Sequence, residues 1–361
     1  MAELGAVAKA LTQLAGVKAP AGLGDLFKSV TVAATHQAIA QHLKDARNAT
    51  VLLGLGACAH AEFSSLRVLA SLIAQLTDAK LGFLSDGANA AGAWLAGMVP
   101  HRGPAAGKVA AGGLHAAAMC KSGLKAFVLL GVEPDVDLAY ARAALAELRA
   151  AQFTVVMSPY RNATLEQFAQ VMLPTAPFTE TSGTFVNAEG RWQSFSGAIA
   201  PLADARPAWK VLRVLANLLQ LPGFDYVTSE EVRDELHVQV GDARADNKST
   251  GRGPTRLAAQ TQGVARIADV PLYAVDATAR RAGALQKTAD APSAALYINT
   301  RHAEQLGVRV GQTVGITQGG EQLTLPVALD ERVPDACVLV YAGQPGAALL
   351  DPDAVVSLQR I

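Results

Sequence analysis

Residues 178–193, with the sequence FTETSGTFVNAEGRWQ, decide how the rest of the chain is interpreted. The segment combines several hydroxyl groups, two carboxylates, two glycines and an arginine between apolar anchors. It follows the strand-like run at residues 171–174, so it begins at the carboxyl end of a predicted strand. Open α/β sheets bind their ligands at that edge. We therefore expect a functional loop here, on an α/β fold.

Short β-rich runs alternate with helical periods upstream of this loop. The alternation predicts five parallel strands with helical crossovers, which together make a doubly wound, Rossmann-like sheet. The expected strands are residues 51–55, 80–84, 125–131, 153–158 and 171–173. The expected helices are residues 61–76, 87–95, 136–150 and 162–170.

The chain changes character after the loop. Apolar residues at helical spacing predict a helix at residues 205–220, and we expect Trp209, Leu212, Leu215 and Leu219 to form its buried face. The tail contains β-rich runs at residues 295–299, 312–317, 322–328 and 337–341, and Gly319-Gly320 marks a hairpin turn. The tail therefore predicts a small β-barrel.

Four regions follow from these patterns. Residues 1–30 are a weakly helical lead-in, and residues 31–240 form the α/β domain. Residues 241–290 are a linker and long loop, because their first part is polar and glycine-rich with no apolar period. Residues 291–361 form the barrel.

Charge and cysteine usage exclude several function classes. The 361 residues contain 31 basic and 31 acidic side chains. No block of like charge appears, so nucleic acid is not an expected partner. Apolar runs fall short of the roughly 18 residues that a membrane span needs. Cys58, Cys120 and Cys337 lie too far apart for a CxxC metal site, and we interpret them as reduced, packed thiols.

The loop itself offers an acid–base pair. Glu180 and Glu189 could exchange protons, with nearby hydroxyls as hydrogen-bond donors and Gly183 permitting a turn that points N–H groups into a cleft. The alternative is that one carboxylate pairs with Arg191 while the hydroxyls satisfy backbone groups. The sequence favours this second interpretation, because no nucleophile or metal ligand accompanies the loop.

A nucleotide site is the other candidate. Gly54 and Gly56 follow the first strand, Ala59 stands at the third position of a dinucleotide loop, and Asp86 lies near the end of the second strand. A tight strand-to-helix turn without a ligand explains the same residues, and the sequence favours it. The seven histidines show no HxH or HExxH spacing, so no metal site is predicted.

Several motifs resemble the molybdopterin oxidoreductase superfamily. They are LLGVEPD at residues 129–135, VMLP at residues 171–174, the quoted loop, and ARPAWKVLRVL at residues 205–215. The run GANAAGAWLAG at residues 87–97 and PHR at residues 100–102 narrow the likeness to the large iron–sulphur subunit of bacterial NADH:quinone oxidoreductase, or respiratory complex I. The tail resembles the double-psi β-barrel of the same superfamily.

The resemblance implies that the chain corresponds to the C-terminal half of that large subunit. In that family the cysteine and histidine ligands of the iron–sulphur clusters lie in the N-terminal half and on partner subunits. The implied partners are that iron–sulphur half and other peripheral-arm subunits, at the cytoplasmic side of the inner membrane. Thr181, Gly183, Thr184 and Asn187 are implied as the wall of a vestigial pterin cleft.

Two departures from the superfamily argue against a bound cofactor. Where molybdenum enzymes commonly have Gly-x-Asn-Pro for nucleotide contact, this chain has Gly131-Val-Glu133-Pro134, and Ala169-Gln170 replaces a common Ala-Asp. We therefore expect a structural, cofactor-free module with no catalytic residue of its own. The alternatives are a chain that retains a molybdenum or tungsten pterin, and a nucleotide-binding module based on Gly54 and Gly56.

Overall fold

The computed structural model describes residues 1–58, 60, 62–84, 87–243, 263–344, 346–351 and 355–361. In chain order its helices and strands are α1 (Ala2–Leu14), α2 (Gly24–Ser29), α3 (Ala34–Asp45), β1 (Thr50–Leu53), α4 (Leu55–Cys58), α5 (Phe63–Thr77), β2 (Lys80–Phe83), α6 (Ala90–Leu95), α7 (Ala116–Met119), β3 (Ala126–Leu130), α8 (Pro134–Asp137), α9 (Ala141–Ala150), β4 (Phe153–Ser158), α10 (Ala163–Glu166), β5 (Val171–Pro174), β6 (Gly183–Val186), β7 (Trp192–Phe195), α11 (Ala208–Leu218), α12 (Ser229–Val240), β8 (Val264–Ile267), α13 (Ala277–Arg281), β9 (Leu296–Ile298), α14 (Thr300–Leu306), β10 (Thr313–Gln318), β11 (Glu321–Leu329), β12 (Cys337–Leu339) and β13 (Val355–Arg360).

The chain divides into two compact units. The described residues of Met1–Ala96, Phe185–Gln193 and Val240–Gln260 form one unit. Those of Gly97–Thr184, Ser194–Gln239 and Thr261–Ile361 form the other.

The first unit is a helical layer with a two-stranded parallel sheet, β1 beside β2. Its core joins α1, α2, α3 and α5 through fully buried side chains that include Leu11, Leu26 and Leu69. Residues 1–30, predicted as a weakly helical lead-in, therefore contain two helices and part of this core. Alanines supply much of the buried face of α1, such as Ala8 and Ala10, so the apolar period is weak in the sequence.

The second unit contains a three-stranded parallel sheet in the order β3-β4-β5. The register pairs Leu130 with Met157 and Ser158 with Pro174, so the carboxyl ends of the strands lie together. Buried Leu148, Val156 and Leu165 pack α9 and α10 against one face. This packing fixes the position of the carboxyl edge of the sheet.

The tail of the second unit is a closed six-stranded barrel in the order β10-β11-β9-β12-β8-β13. Gly319 and Gly320 form the two-residue turn of the β10–β11 hairpin, with positive φ at both glycines. The predicted fold class, parallel α/β sheets followed by a small barrel, is confirmed.

Three details differ from the sequence analysis. The five predicted parallel strands form two hydrogen-bonded sheets, of two and three strands. Strands β8 and β13, which close the barrel, were not predicted. On α11, Leu212 is 39% exposed and Leu219 is 62% exposed, so the predicted buried face is wrong at both positions. Ala216 is buried on this helix, and Trp209 and Leu215 are half-buried.

Part of the predicted linker, residues 244–262, lies outside the described residues. In the described part of the chain, no helix is long and apolar enough to span a membrane.

Candidate functional site: a closed sheet edge

The carboxyl edge of the three-stranded sheet carries a dense polar cluster. After β3, Gly131 adopts a positive φ of 64° while its N–H still donates to the Met157 carbonyl at 2.8 Å. Glycine permits this turn at little cost. The chain then passes through Val132 to Glu133, which precedes the short helix α8.

Glu133 is the centre of the cluster and is only 4% exposed. Arg281 donates to both of its carboxylate oxygens, from Nη2 to Oε1 at 2.6 Å and from Nη1 to Oε2 at 3.2 Å. Arg280 donates from Nη2 to Oε2 at 2.9 Å. Asn162 donates from Nδ2 to Oε1 at 3.0 Å. Four N–H groups thus converge on one carboxylate, and two of them form the bidentate geometry that strengthens arginine–carboxylate pairs.

Both arginines come from α13, a five-residue helix that Asp276 caps through the N–H groups of Thr278 and Ala279 at 2.8 Å. Arg280 also pairs with Asp137 at 2.8 Å. The Arg281 guanidinium lies over the ring of Tyr160 at 4.3 Å from the ring centroid. Such cation–π contacts add to the ion pair when both groups are shielded from water.

Two carboxylates and two arginines form the ion pairs of the cluster. Glu133 and Asp137 carry two negative charges, and the two arginines carry two positive charges. Burial disfavours ionisation of Glu133, but hydrogen bonds and charge from Arg281 and Arg280 outweigh burial and hold the Glu133 pKa below its ordinary value. Burial likewise opposes the charge on Arg280, but Asp137 and Glu133 outweigh it and raise the Arg280 pKa. Glu133 and Arg280 are therefore both charged at neutral pH.

This arrangement does not fit a pterin dinucleotide at the sheet edge. A diphosphate needs unpaired cations or free N–H groups. Here both arginines are paired with carboxylates of the same chain, and Asp135 adds a further buried carboxylate oxygen without a hydrogen-bond partner. An incoming phosphate would have to displace Glu133 and face Asp135 and Asp137.

The hydroxyl-rich loop predicted as a pterin-cleft wall uses its polar groups in hydrogen bonds with other residues of the chain. Thr181 donates from Oγ1 to the Ser182 carbonyl at 3.2 Å. The Thr184 and Ser194 hydroxyls lie 2.9 Å apart across the β6–β7 hairpin. Gly183 faces the Phe195 ring, where an added Cβ would come within 3.0 Å. Of the predicted residues, Gly183 and Thr184 therefore lie on β6, and Thr181 lies just before it.

The fourth predicted residue, Asn187, shapes the hairpin loop. Its Oδ1 accepts N–H groups from Glu189 at 3.0 Å and Arg191 at 2.9 Å. Asn187 therefore serves the turn itself. Glu180 accepts the Leu202 N–H at 3.0 Å, so its carboxylate caps a backbone group.

The remaining candidate residues belong to the nucleotide-site and metal-site hypotheses. Gly54 and Gly56 lie at the start of α4, and neither would contact another group through an added Cβ. Ala59 and Asp86, the other parts of the nucleotide hypothesis, lie outside the described residues. Among the residues that the structure describes, no group of three or more His, Cys, Asp or Glu side chains is suited to a metal ion.

The three cysteines are half-buried thiols without disulfides. Burial, with a smaller contribution from Glu147, raises the pKa of Cys120. Burial and Asp335 raise the pKa of Cys337. A raised pKa keeps a thiol protonated at neutral pH and makes it a poor nucleophile or ligand.

Sequence reasoning identified Glu133 but not its arginine partners. The partners lie almost 150 residues away along the chain. The signals that could have suggested them are a carboxylate placed after an apolar strand and the adjacent pair Arg280-Arg281. Neither signal specifies the other, because pairing depends on where the barrel segment meets the sheet.

The chain was compared with protein families, with curated protein sequences and with solved structures. The sequence profile described as "Molybdopterin oxidoreductase" matches residues 25–218. Proteins named "Putative formate dehydrogenase" in Staphylococcus aureus strains USA300 and NCTC 8325 / PS 47 are each 36% identical over 104 residues, which is 28% of this chain. The match spans 10% of the length of each of these relatives. A solved structure of acetylene hydratase from Pelobacter acetylenicus aligns with a TM-score of 0.48 and 16% identity, over 64% of this chain and 41% of that one.

Proposed function

Because the chain belongs to the molybdopterin oxidoreductase family, we propose that it is a structural, cofactor-free module of the peripheral arm of respiratory complex I. It corresponds in this proposal to the C-terminal half of the large iron–sulphur subunit. It contributes to electron transfer from NADH to quinone only as part of the assembly. Iron–sulphur clusters on the other half of the subunit and on partner subunits carry the electrons.

One observation carries the cofactor-free part of the proposal. The Glu133 carboxylate lies at the sheet edge where the family resemblance expects nucleotide contact, and Arg280 and Arg281 engage it completely. A buried, bidentate ion pair is costly to break, by about 3–5 kcal/mol when one partner is removed. A ligand that competed for these arginines would have to overcome that cost.

The hydroxyl-rich loop supports the same conclusion. The Ser182 hydroxyl accepts a hydrogen bond from the Ser229 hydroxyl at 2.8 Å. The Ser194 hydroxyl, which lies beside Thr184, accepts one from Arg233 at 2.9 Å. A wall that served a polar cofactor would keep such groups for the ligand. The complex I assignment rests on the motifs at residues 87–97 and 100–102, which resemble the large iron–sulphur subunit.

Co-purification from native membranes tests the proposed role. The full-length protein, tagged at its genomic locus, should elute with an assembly that oxidises NADH and reduces quinone. Mass spectrometry should identify peripheral-arm subunits in the same fractions. Elution as a separate enzyme, without those subunits, would contradict the assignment.

A second candidate function is a molybdopterin-binding oxidoreductase chain that retains a pterin. The relatives named for formate dehydrogenase favour it, although they match only a small part of their own length. Fluorescence of pterin released from the denatured, purified protein distinguishes the two candidates. A stoichiometric pterin signal supports the enzyme, and a blank supports the structural module.

A further inference from the structure

We propose that Arg280, Arg281 and Asn162 form an oxyanion-binding site whose ligand in this chain is the Glu133 carboxylate. The external ligand class that such a site would take is a phosphate-type oxyanion. The inference rests on the cofactor-free part of the proposed function and gives it a chemical cause: the site is filled by an internal anion.

The donor geometry is that of an anion site. Arg281 supplies two N–H groups to the carboxylate, Arg280 supplies one and Asn162 supplies one, at distances between 2.6 and 3.2 Å. Two guanidinium groups that converge on one small anion provide the planar, forked recognition that both carboxylates and phosphates accept.

The donors are held in place by contacts that do not involve Glu133. Arg280 donates to the Ala274 carbonyl at 2.8 Å, and Arg281 donates to the Ala277 carbonyl at 3.0 Å. The Asn162 side chain accepts the Leu165 N–H at 2.8 Å, which caps α10. The donors therefore keep their positions when the Glu133 side chain is shortened.

The charge left behind would favour an anion. Without Glu133, Arg280 keeps its ion pair with Asp137, whereas Arg281 loses its carboxylate partner. The Asp135 carboxylate, which accepts a hydrogen bond from Thr164, stays in the cluster. The Arg281 side chain is 33% exposed, and the neighbouring Arg280 side chain is 13% exposed with an Nε that has no hydrogen-bond partner. A partly buried cation with a spare donor binds an oxyanion more strongly than an exposed one does.

The internal carboxylate excludes external anions by proximity. A group tethered next to its site acts at a high effective concentration, at least in the millimolar range. Free phosphate well below this concentration therefore competes poorly with Glu133 in the wild-type chain. Shortening this one side chain should open the site.

The test compares two substitutions of the same residue in the full chain. Glu133→Ala removes the carboxylate and its volume, whereas Glu133→Gln removes the charge and keeps the space filled. Inorganic phosphate is titrated into each protein by calorimetry, at constant ionic strength set with chloride. We expect E133A to bind phosphate at least about tenfold more tightly than either E133Q or the wild type, a difference of the size that one charge-assisted contact provides. Adding Arg281→Met to E133A should abolish the gain.

Two results would overturn the proposal. One is a folded E133A protein whose phosphate affinity equals that of the wild type, and the other is equal binding by E133A and E133Q. If E133A is unfolded in chloride, phosphate at the same ionic strength should restore its circular dichroism, and failure to do so also counts against the site. A pterin bound to the wild-type protein would reject the proposed function. That outcome is distinguishable from failure of the oxyanion site, because pterin is detected by fluorescence in the wild type and phosphate binding by calorimetry in the variants.

Discussion

At the scale of single residues, Glu133 controls the chemistry of the sheet edge. A carboxylate in an apolar context is expensive to bury unless it is paired and hydrogen-bonded. Here it is paired with two arginines and one asparagine. The same pairing that makes burial tolerable engages the guanidinium and amide groups that face the carboxylate, so an outside ligand would have to compete with Glu133 for them.

Replacing Glu133 with glutamine should destabilise the second unit strongly. The substitution leaves two guanidinium groups short of a counter-charge, and breaking a buried pair in this way costs about 3–5 kcal/mol. Urea unfolding followed by circular dichroism measures the loss. Glu166→Gln is the matched control, because Glu166 pairs with Arg161 on the surface, and the expected cost there is below about 1 kcal/mol. Equal, small losses for both variants would show that the buried pair contributes little.

The pKa of Glu133 also predicts how stability depends on pH. Because its folded-state pKa is lowered, the carboxylate contributes stability above its unfolded-state pKa of about 4.3, and that contribution is lost as the pH falls through the folded-state pKa. The difference in unfolding free energy between the wild type and E133Q should therefore be constant from pH 7 to about pH 5 and shrink below about pH 4. Urea titrations across this range measure it. A difference that stays unchanged down to about pH 3 would be inconsistent with the ion pair.

At the scale of elements, local sequence patterns predicted most of the helices and strands. Strand β4 matches its predicted bounds because a compact β-branched run is flanked by clear breaks. Strand β8 was missed because it is short and contains Arg266, which looks like a surface residue in the sequence. In the structure Arg266 is buried and donates to the carbonyls of Val340 and Leu350, and burial lowers its pKa to about 10. Only the closed barrel provides those carbonyls, so no local signal could reveal this role.

The β10–β11 turn provides a test at the element scale. Gly320 has a positive φ of 86°, and an added Cβ would meet no other atom within 4 Å, so any cost of Gly320→Ala comes from the backbone alone. We expect a loss of about 1–2 kcal/mol, measured as a lower melting temperature. The control is Gly24→Ala, at the start of α2, where space is also open and φ is not positive. Gly24→Ala should be neutral or slightly stabilising. An equal loss of stability in both variants would contradict the prediction that a side chain strains the positive-φ backbone at Gly320.

At the scale of the whole molecule, the candidate site was only half predictable. In the sequence, Glu133 stands where molybdenum enzymes of the superfamily commonly have asparagine, and this difference predicted that no pterin cofactor is bound. Arg280 and Arg281, the partners of Glu133, come from α13. Their contact with Glu133 depends on the path of the chain between the sheet and the barrel. Among the predicted wall residues Thr181, Gly183, Thr184 and Asn187, the polar side chains make hydrogen bonds within the β6–β7 hairpin and the segment that precedes it.

The most direct test of the cofactor-free proposal is the molybdenum and tungsten content of the full-length protein purified from its native source. Mass spectrometry of the metals, normalised to protein concentration, gives the number of metal atoms per chain. We predict far less than one atom of either metal per chain, whereas one molybdenum or tungsten per chain would contradict the proposal.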